Sequence, residues 1–416
     1  MIHKSHILLP LVLLSLFSSN TIRVRSQGSD SKSHIISCGS SAEGETDSDG
    51  RKWTTDSTYL ASADNTKTAE AGYYDPALPS KVPFMTVRIM SSATSYKFSV
   101  PSSKRLLVRF LKRRFRRLRH GLTLLKNFSP FITALALTQA YIIREYSIVP
   151  VQSGTLNITF TPSTKHEKTF AFVNSLEVIP MEEIFKPTDL IGFRGQTVDV
   201  QNASLQTMYR LSVGGDYIPA IKDSGLARTW WDDSPYLLNA AYGASYLNKT
   251  FLGVSIEAPA NVTIKHTKDI DGTEPQVNVK SNLTWVFQVD ANFTYVVRLH
   301  FCDFQNTLGN QRTFDIYLNN RTAQEMADVV LWTGGIGIPV YKDYATHMND
   351  KDGDVLWVGL HPSLATHPQY YDAILNGLEI FKVNDTAGNL GGPNPVPSKM
   401  LLKADAAAKI LLADAA

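Results

Sequence analysis

Apolar and polar positions along this chain repeat with the period of two expected of half-buried β-strands. Phe314, Ile316 and Leu318 alternate with Asp315 and Tyr317. The β-branched and aromatic runs 285–289, 295–301 and 313–318 are bounded by the turn formers Asp290-Ala291-Asn292 and Leu308-Gly309-Asn310. Many short strands at fairly regular spacing predict an all-β sandwich.

The pattern occurs twice. Leu156-Asn157-Ile158-Thr159-Phe160-Thr161-Pro162-Ser163 is answered by Leu356-Trp357-Val358-Gly359-Leu360-His361-Pro362-Ser363, and Val173-Asn174-Ser175-Leu176-Glu177-Val178 by Leu375-Asn376-Gly377-Leu378-Glu379-Ile380. Arg51-Lys52-Trp53 and Arg228-Thr229-Trp230 mark the start of each copy. Units this long are not solenoid repeats, whose period is about 20–50 residues. They predict two tandem jelly-roll β-sandwiches, each burying its own core, over 34–181 and 208–383. Residues 182–207 connect them, and 384–416 form a Gly/Pro-rich linker and polar tail. Asn174 and Asn376 are expected to form turns.

The copies differ at one place. Trp53 to Asn174 is 121 positions and Trp230 to Asn376 is 146, so the first copy is 25 shorter. Leu106-Leu107-Val108-Arg109-Phe110 matches Val297-Arg298-Leu299-His300-Phe301. The strand expected next is replaced by Leu111-Lys112-Arg113-Arg114-Phe115-Arg116-Arg117-Leu118-Arg119-His120, within an anomalous stretch 111–123. The first sandwich is therefore expected to lack a core strand. The cationic run 112–119 is either a basic loop for an acidic partner or a replacement of sheet sequence at an altered exon boundary; nucleic-acid binding does not suit an exported chain.

Export is predicted by the first 26 residues. His3 and Lys4 precede an apolar run, 7–17, that is too short to span a bilayer, and Ser15, Ser18, Ser19 and Ser26 offer cleavage positions. Glycosylation sequons at Asn127, Asn157, Asn202, Asn248, Asn261, Asn282, Asn292, Asn320 and Asn384 agree with this. The composition of all 416 residues, 43% hydrophobic and 19% charged with a net charge of +3, is that of a folded protein with no general attraction to polyanions. Its two cysteines, Cys38 and Cys302, fall in different copies and are either bridged or two buried thiols.

Several motifs carry a family resemblance. They are Ile36-Ser37-Cys38-Gly39, Pro83-Phe84-Met85-Thr86-Val87-Arg88, Leu124-Leu125-Lys126-Asn127-Phe128-Ser129, Tyr209-Arg210-Leu211-Ser212-Val213-Gly214-Gly215, Leu299-His300-Phe301-Cys302-Asp303 and Tyr370-Tyr371-Asp372-Ala373-Ile374-Leu375-Asn376-Gly377. From about His34 to Pro397 the chain resembles the ectodomain of plant malectin-like receptor kinases of the FERONIA and THESEUS type. The resemblance implies two malectin-like β-sandwiches at the cell wall. They would bind a pectin-like wall polysaccharide, or a secreted peptide together with an anchored co-receptor. It implies a secreted or extracellular (apoplastic) location, or the plasma membrane for a longer receptor form. Residues 398–416 are too short and too charged to span a membrane, and no kinase motif is present. The alternatives are a fragment of a transmembrane Ser/Thr receptor kinase and a soluble lectin or decoy.

No catalytic, cofactor or metal constellation emerges. Gly243-Ala244-Ser245-Tyr246-Leu247 fails the nucleophile elbow, and Gly334-Gly335-Ile336-Gly337 fails the dinucleotide fingerprint. Asp350-Lys351-Asp352-Gly353-Asp354 and Asp47-Ser48-Asp49-Gly50 are read as turns rather than calcium loops. The candidate ligand-binding residues are Trp230, Trp231, Asp232, Tyr370, Tyr371 and Asp372, because aromatic faces stack on sugar rings and carboxylates accept from hydroxyls. In the animal lectin malectin an acid similar in position to Asp372 helps hold a glucose disaccharide. The aromatic pair of that lectin would fall near Gln305 and Asn306, which cannot stack.

Overall fold

The computed structural model describes residues 33–111, 122–164, 169–223, 226–238, 282–350 and 353–397, and the backbone alone of 112, 243–246 and 264–267. The expected signal segment, Asn248, Asn261, most of the arginine-rich run and the end after Pro397 lie outside the described residues.

The first half contains β1 (His34–Ser37), β2 (Glu45–Thr46), β3 (Lys52–Thr55), β4 (Thr66–Glu70), β5 (Thr86–Met90), β6 (Thr94–Ser99), β7 (Arg105–Lys112), helix α1 (Pro130–Leu137), β8 (Ile143–Ile148), β9 (Thr155–Phe160) and β10 (Ala171–Met181). The connection holds β11 (Thr188–Asp189) and β12 (Thr197–Val198). The second half contains β13 (Leu205–Ser212), β14 (Trp231–Asp232), β15 (Leu237–Leu238), β16 (Gly243–Tyr246), β17 (Ile264–Thr267), β18 (Leu283–Gln288), β19 (Phe293–Phe301), β20 (Phe314–Leu318), β21 (Arg321–Ala327), helix α2 (Val329–Thr333), β22 (Val340–Met348), β23 (Val355–Pro362), β24 (Ile374–Leu375) and β25 (Gly377–Val383). The fold is nearly all β, and the apolar runs expected to be strands are β18, β19 and β20.

One long sheet runs through both halves, in the order β2-β3-β1-β10-β7-β8-β13-β25-β19-β22. Two separate cores lie against it. In the first half Ile36, Val108, Tyr146 and Leu176 meet Tyr96, Phe98, Leu156, Ile158 and Phe160 of the β6–β9 pair. In the second, Leu211, Val297 and Leu378 meet Trp285, Phe287, Phe314, Ile316 and Val358 of a five-stranded sheet, β15-β18-β23-β20-β21. Burying each large apolar side chain contributes about 1.5–3 kcal/mol. Among the described residues the first half has no counterpart of β20 and β21. The halves join edge to edge where β8 pairs with β13.

The connector is packed. Phe185 and Val200 form a third cluster with Leu205, Val296 and Phe381, and Phe185 lies 5.0 Å from the guanidinium of Arg105 and 4.9 Å from that of Arg298.

A line of alternating charge crosses the long sheet. Glu177 (β10) accepts from Arg109 (β7), Arg109 also donates to Glu145 (β8), and Glu145 pairs with Arg210 (β13). Arg210 donates to Glu379 (β25), beside which Arg298 (β19) donates to Asp343 (β22). Register sets most of the order, placing Arg109 opposite both Glu177 and Glu145, Arg210 opposite Glu379, and Arg298 opposite both Glu379 and Asp343. Across the β8–β13 seam Glu145 faces Thr207, and Arg210 reaches it from three positions along β13. Burial alone would raise the carboxylate of Glu145, but Arg210 and Arg109 hold its pKa down to about 2. Glu379 is likewise held well below its usual range against its burial by Arg210, His300 and Arg228. His300, fully buried with Nε2 3.0 Å from Glu379, has its pKa lowered by burial.

The repeated landmarks are matching buttresses. Arg51 lies over the indole of Trp53 at 5.1 Å, and Asp47 accepts from both. Arg228 lies over Trp230 at 5.0 Å, and Asp223 accepts from both. Asn174 and Asn376 were expected to form turns, but they sit at irregularities of the sheet. Asn174 Nδ2 donates to the carbonyls of Phe84 and Thr86, and Asn376 Oδ1 accepts from the amide of Cys302. Cys38 and Cys302 are two free, buried thiols, with burial pushing Cys302 up to about 12.

Candidate ligand-recognition site

An exposed aromatic pair with polar neighbours lies where the halves meet. After β13 the chain turns at Gly214 (φ +68°) and runs back against the strand carrying Trp230. Ile218 and Trp230 face each other in an antiparallel bridge, with two backbone bonds of 2.9 Å. Side chains alternate across a strand. Ile218 and Trp230 point inward, so their neighbours Tyr217 and Trp231 form a cross-strand pair on the outside. Their rings are 5.0 Å apart at 50°, and they are 42% and 39% exposed.

The first half supplies the opposite wall. The Tyr217 hydroxyl donates to Asp49 Oδ2 at 2.9 Å, joining the two halves. Partial burial and the Asp49 carboxylate push the phenol's pKa up, so the O–H remains a donor. Between the walls is a cleft of about 40 Å³, bordered by Trp231, Tyr217 and Thr229 on one side and by Asp49, Arg51 and Tyr141 on the other. It has room for a water or the tip of a side chain but not for a sugar ring, so a larger ligand would lie on the aromatic shelf. Acids at Asp49, Asp216 and Asp232 occur in or beside the shelf, while Arg51 is held by Asp47 and Glu177.

The six candidate residues fall in different settings. Trp230 is fully buried against Arg228 and His300, and its indole N–H is held by Asp223, so it presents no face to a ligand. Trp231 is on the shelf. Asp232 is exposed and caps a turn by accepting from the amide and hydroxyl of Ser234. Asp372 is 8% exposed, and both its oxygens accept from Arg312, at 2.6 and 2.7 Å. Arg312 also donates to Asp303 and Gln305, and Asn306 is buried on Asp303. The Asp372 carboxylate is thus already paired where the lectin analogy would need it for sugar hydroxyls. Tyr370 is exposed and Tyr371 half-buried. Sequence reasoning missed Tyr217 and the role of Asp49. Of this wall only 47–50 drew notice, read as a turn rather than a calcium loop. The Gly50 amide closes that turn on the carbonyl of Asp47, whose carboxylate holds Arg51 and Trp53, while Asp350 accepts from Asn292.

Of the sequon asparagines, Asn202, Asn282, Asn292 and Asn320 are exposed, and Asn127, Asn157 and Asn384 are half-buried. Among the described residues no helix is long and apolar enough to cross a membrane.

The malectin-like domain description matches residues 36–383. The receptor-like protein kinase ANXUR2 of Arabidopsis thaliana is 46% identical over 395 residues, covering 89% of this chain and 46% of that protein. FERONIA of the same plant is 39% identical, covering 93% and 46%. The chain therefore spans about half the length of these curated relatives. The ANXUR2 extracellular domain superposes with a TM-score of 0.83 at 45% identity, covering 88% of this chain and 100% of that one. The crystal structure of the plant peptide RALF23 in complex with FER and LLG2 gives 0.77 at 38%, covering 88% and 99%. The nearly all-β architecture, its long shared sheet and these likenesses together place the chain in the malectin-like family, among the ectodomains of plant receptor-like kinases.

Proposed function

We propose that this chain is a non-catalytic extracellular recognition module that binds a secreted peptide together with an anchored co-receptor. The observation that carries the reading is the exposed Tyr217–Trp231 pair with Asp49 across the junction of the halves. The likeness to an ectodomain solved with a peptide and LLG2 supports the same class of ligand. Aromatic faces attract cations and the neighbouring carboxylates add to that attraction, so the shelf suits a basic segment. The same carboxylates repel a polyuronate, so pectin is the weaker reading of this surface; a neutral wall glycan stacking on the rings is the second reading.

The test is titration calorimetry of the purified chain with RALF23, with and without LLG2. Binding is expected, with Trp231→Ala weakening it about 10- to 100-fold while the melting temperature barely moves. Trp230→Ala is expected instead to cost about 3–5 kcal/mol of stability. No heat from either mixture would reject the peptide reading, and retention on a neutral glycan column that Trp231→Ala abolishes would favour the glycan.

A further inference from the structure

The Gly/Pro-rich stretch 384–397, read from sequence as a linker, lies past the end of the family match at 383 and is docked on the first half. After β25, Asn384 is bonded in both directions to Ser204. A turn closed by the Asp385 carboxylate then sends the chain toward Thr123. The Thr123 amide donates to the carbonyl of Gly388 at 2.7 Å, and the Leu390 amide donates to the carbonyl of Thr123 at 2.7 Å. The Leu390 side chain is fully buried in the core of the first half, alongside Leu124, Phe128 and Tyr146. Asn394 accepts from the Ser129 amide at 2.6 Å and donates to the carbonyl of Asn127 at 2.8 Å. Ser129 is the cap of α1, so the same clamp fixes the start of that helix.

The two glycines between these anchors touch different halves. A Cβ at Gly391 would lie 2.6 Å from the backbone nitrogen of Lys126, in the first half. A Cβ at Gly392 would overlap the carboxylate of Asp290, which belongs to the second half and pairs at 2.7 Å with the buried ammonium of Lys382. The segment therefore completes one core by contributing Leu390 and passes tightly between both halves before continuing beyond Pro397.

We propose that residues 385–397 are a strap that couples the chain beyond Pro397 to the core of the first half, so that displacing that continuation loosens the first half ahead of the second. Local opening follows the contacts a segment makes, and hydrogen exchange resolves it along the chain. The test is hydrogen exchange on the full chain. Asn394→Ala removes the clamp without touching a core residue. It is expected to raise exchange at least about tenfold over 122–137 and to leave 283–288 and 355–362 unchanged. Leu390→Ser is expected to extend the rise to 143–148. An increase confined to 385–397, or one of equal size in both halves, would overturn the proposal. Leu156→Ala, which opens the same core from β9, is the control: if it reproduces the Asn394→Ala pattern, general loss of the core explains the result and the strap does not.

Discussion

Glu145 binds an arginine from each half, Arg109 and Arg210, and nothing near it in sequence marks it for that role. The partner that completes its environment is 65 positions away and arrives only through the β8–β13 pairing. Because its pKa in the folded chain is depressed to about 2, its stabilisation is fully present above the unfolded value near 4.5 and is lost as pH falls from there toward 2. The loss from this group is on the order of 3 kcal/mol. Denaturant titrations at pH 6, 4 and 2.5 are expected to show that decline. Glu145→Gln is expected to lower stability by about 3 kcal/mol at pH 6, because two buried guanidinium groups each lose one of their two carboxylate partners, and to flatten the acid dependence. An unchanged slope below pH 4.5 would show that the ladder does not set acid stability. Arg51 and Arg228, by contrast, were legible as residues, since each precedes its tryptophan by two in both copies. Their work against Asp47 and Asp223 was not, because a carboxylate several positions away carries no local signal.

Sequence reading worked best for strands and worst for which side of a strand faces inward. β18, β19 and β20 fell where the apolar runs put them. Trp230 and Trp231 looked equivalent, yet only the second reaches solvent, because Trp230 is bridged to Ile218 on the buried side and side chains alternate along the strand. Irregular positions are set by backbone geometry. Gly39 has φ +79°, and a Cβ there would overlap the carbonyl of Val87. Gly39→Ala is expected to cost about 2–4 kcal/mol, whereas Gly195→Ala, also at positive φ (+75°) but in open space, should cost about 1 kcal/mol. Thermal melts of the two variants side by side check the difference.

At the scale of the whole molecule, the described residues hold two large apolar cores, but the sheet that unites them was not visible in sequence. Periodicity reports which residues face a core; it does not report that β8 and β13 are neighbours. Since the long sheet and its buried charges cross that junction, calorimetry of the full chain is expected to give one transition, with the calorimetric enthalpy equal to the van't Hoff value. Two resolved transitions would show that the shared edge is energetically minor. The junction also has a practical consequence. Cleaving the chain within the connector would leave β8 and β13 as two bare edges with complementary rows of amides, carbonyls and opposite charges. Fragments made apart should therefore find each other when mixed and restore one particle, making this protein a natural candidate for split-fragment complementation.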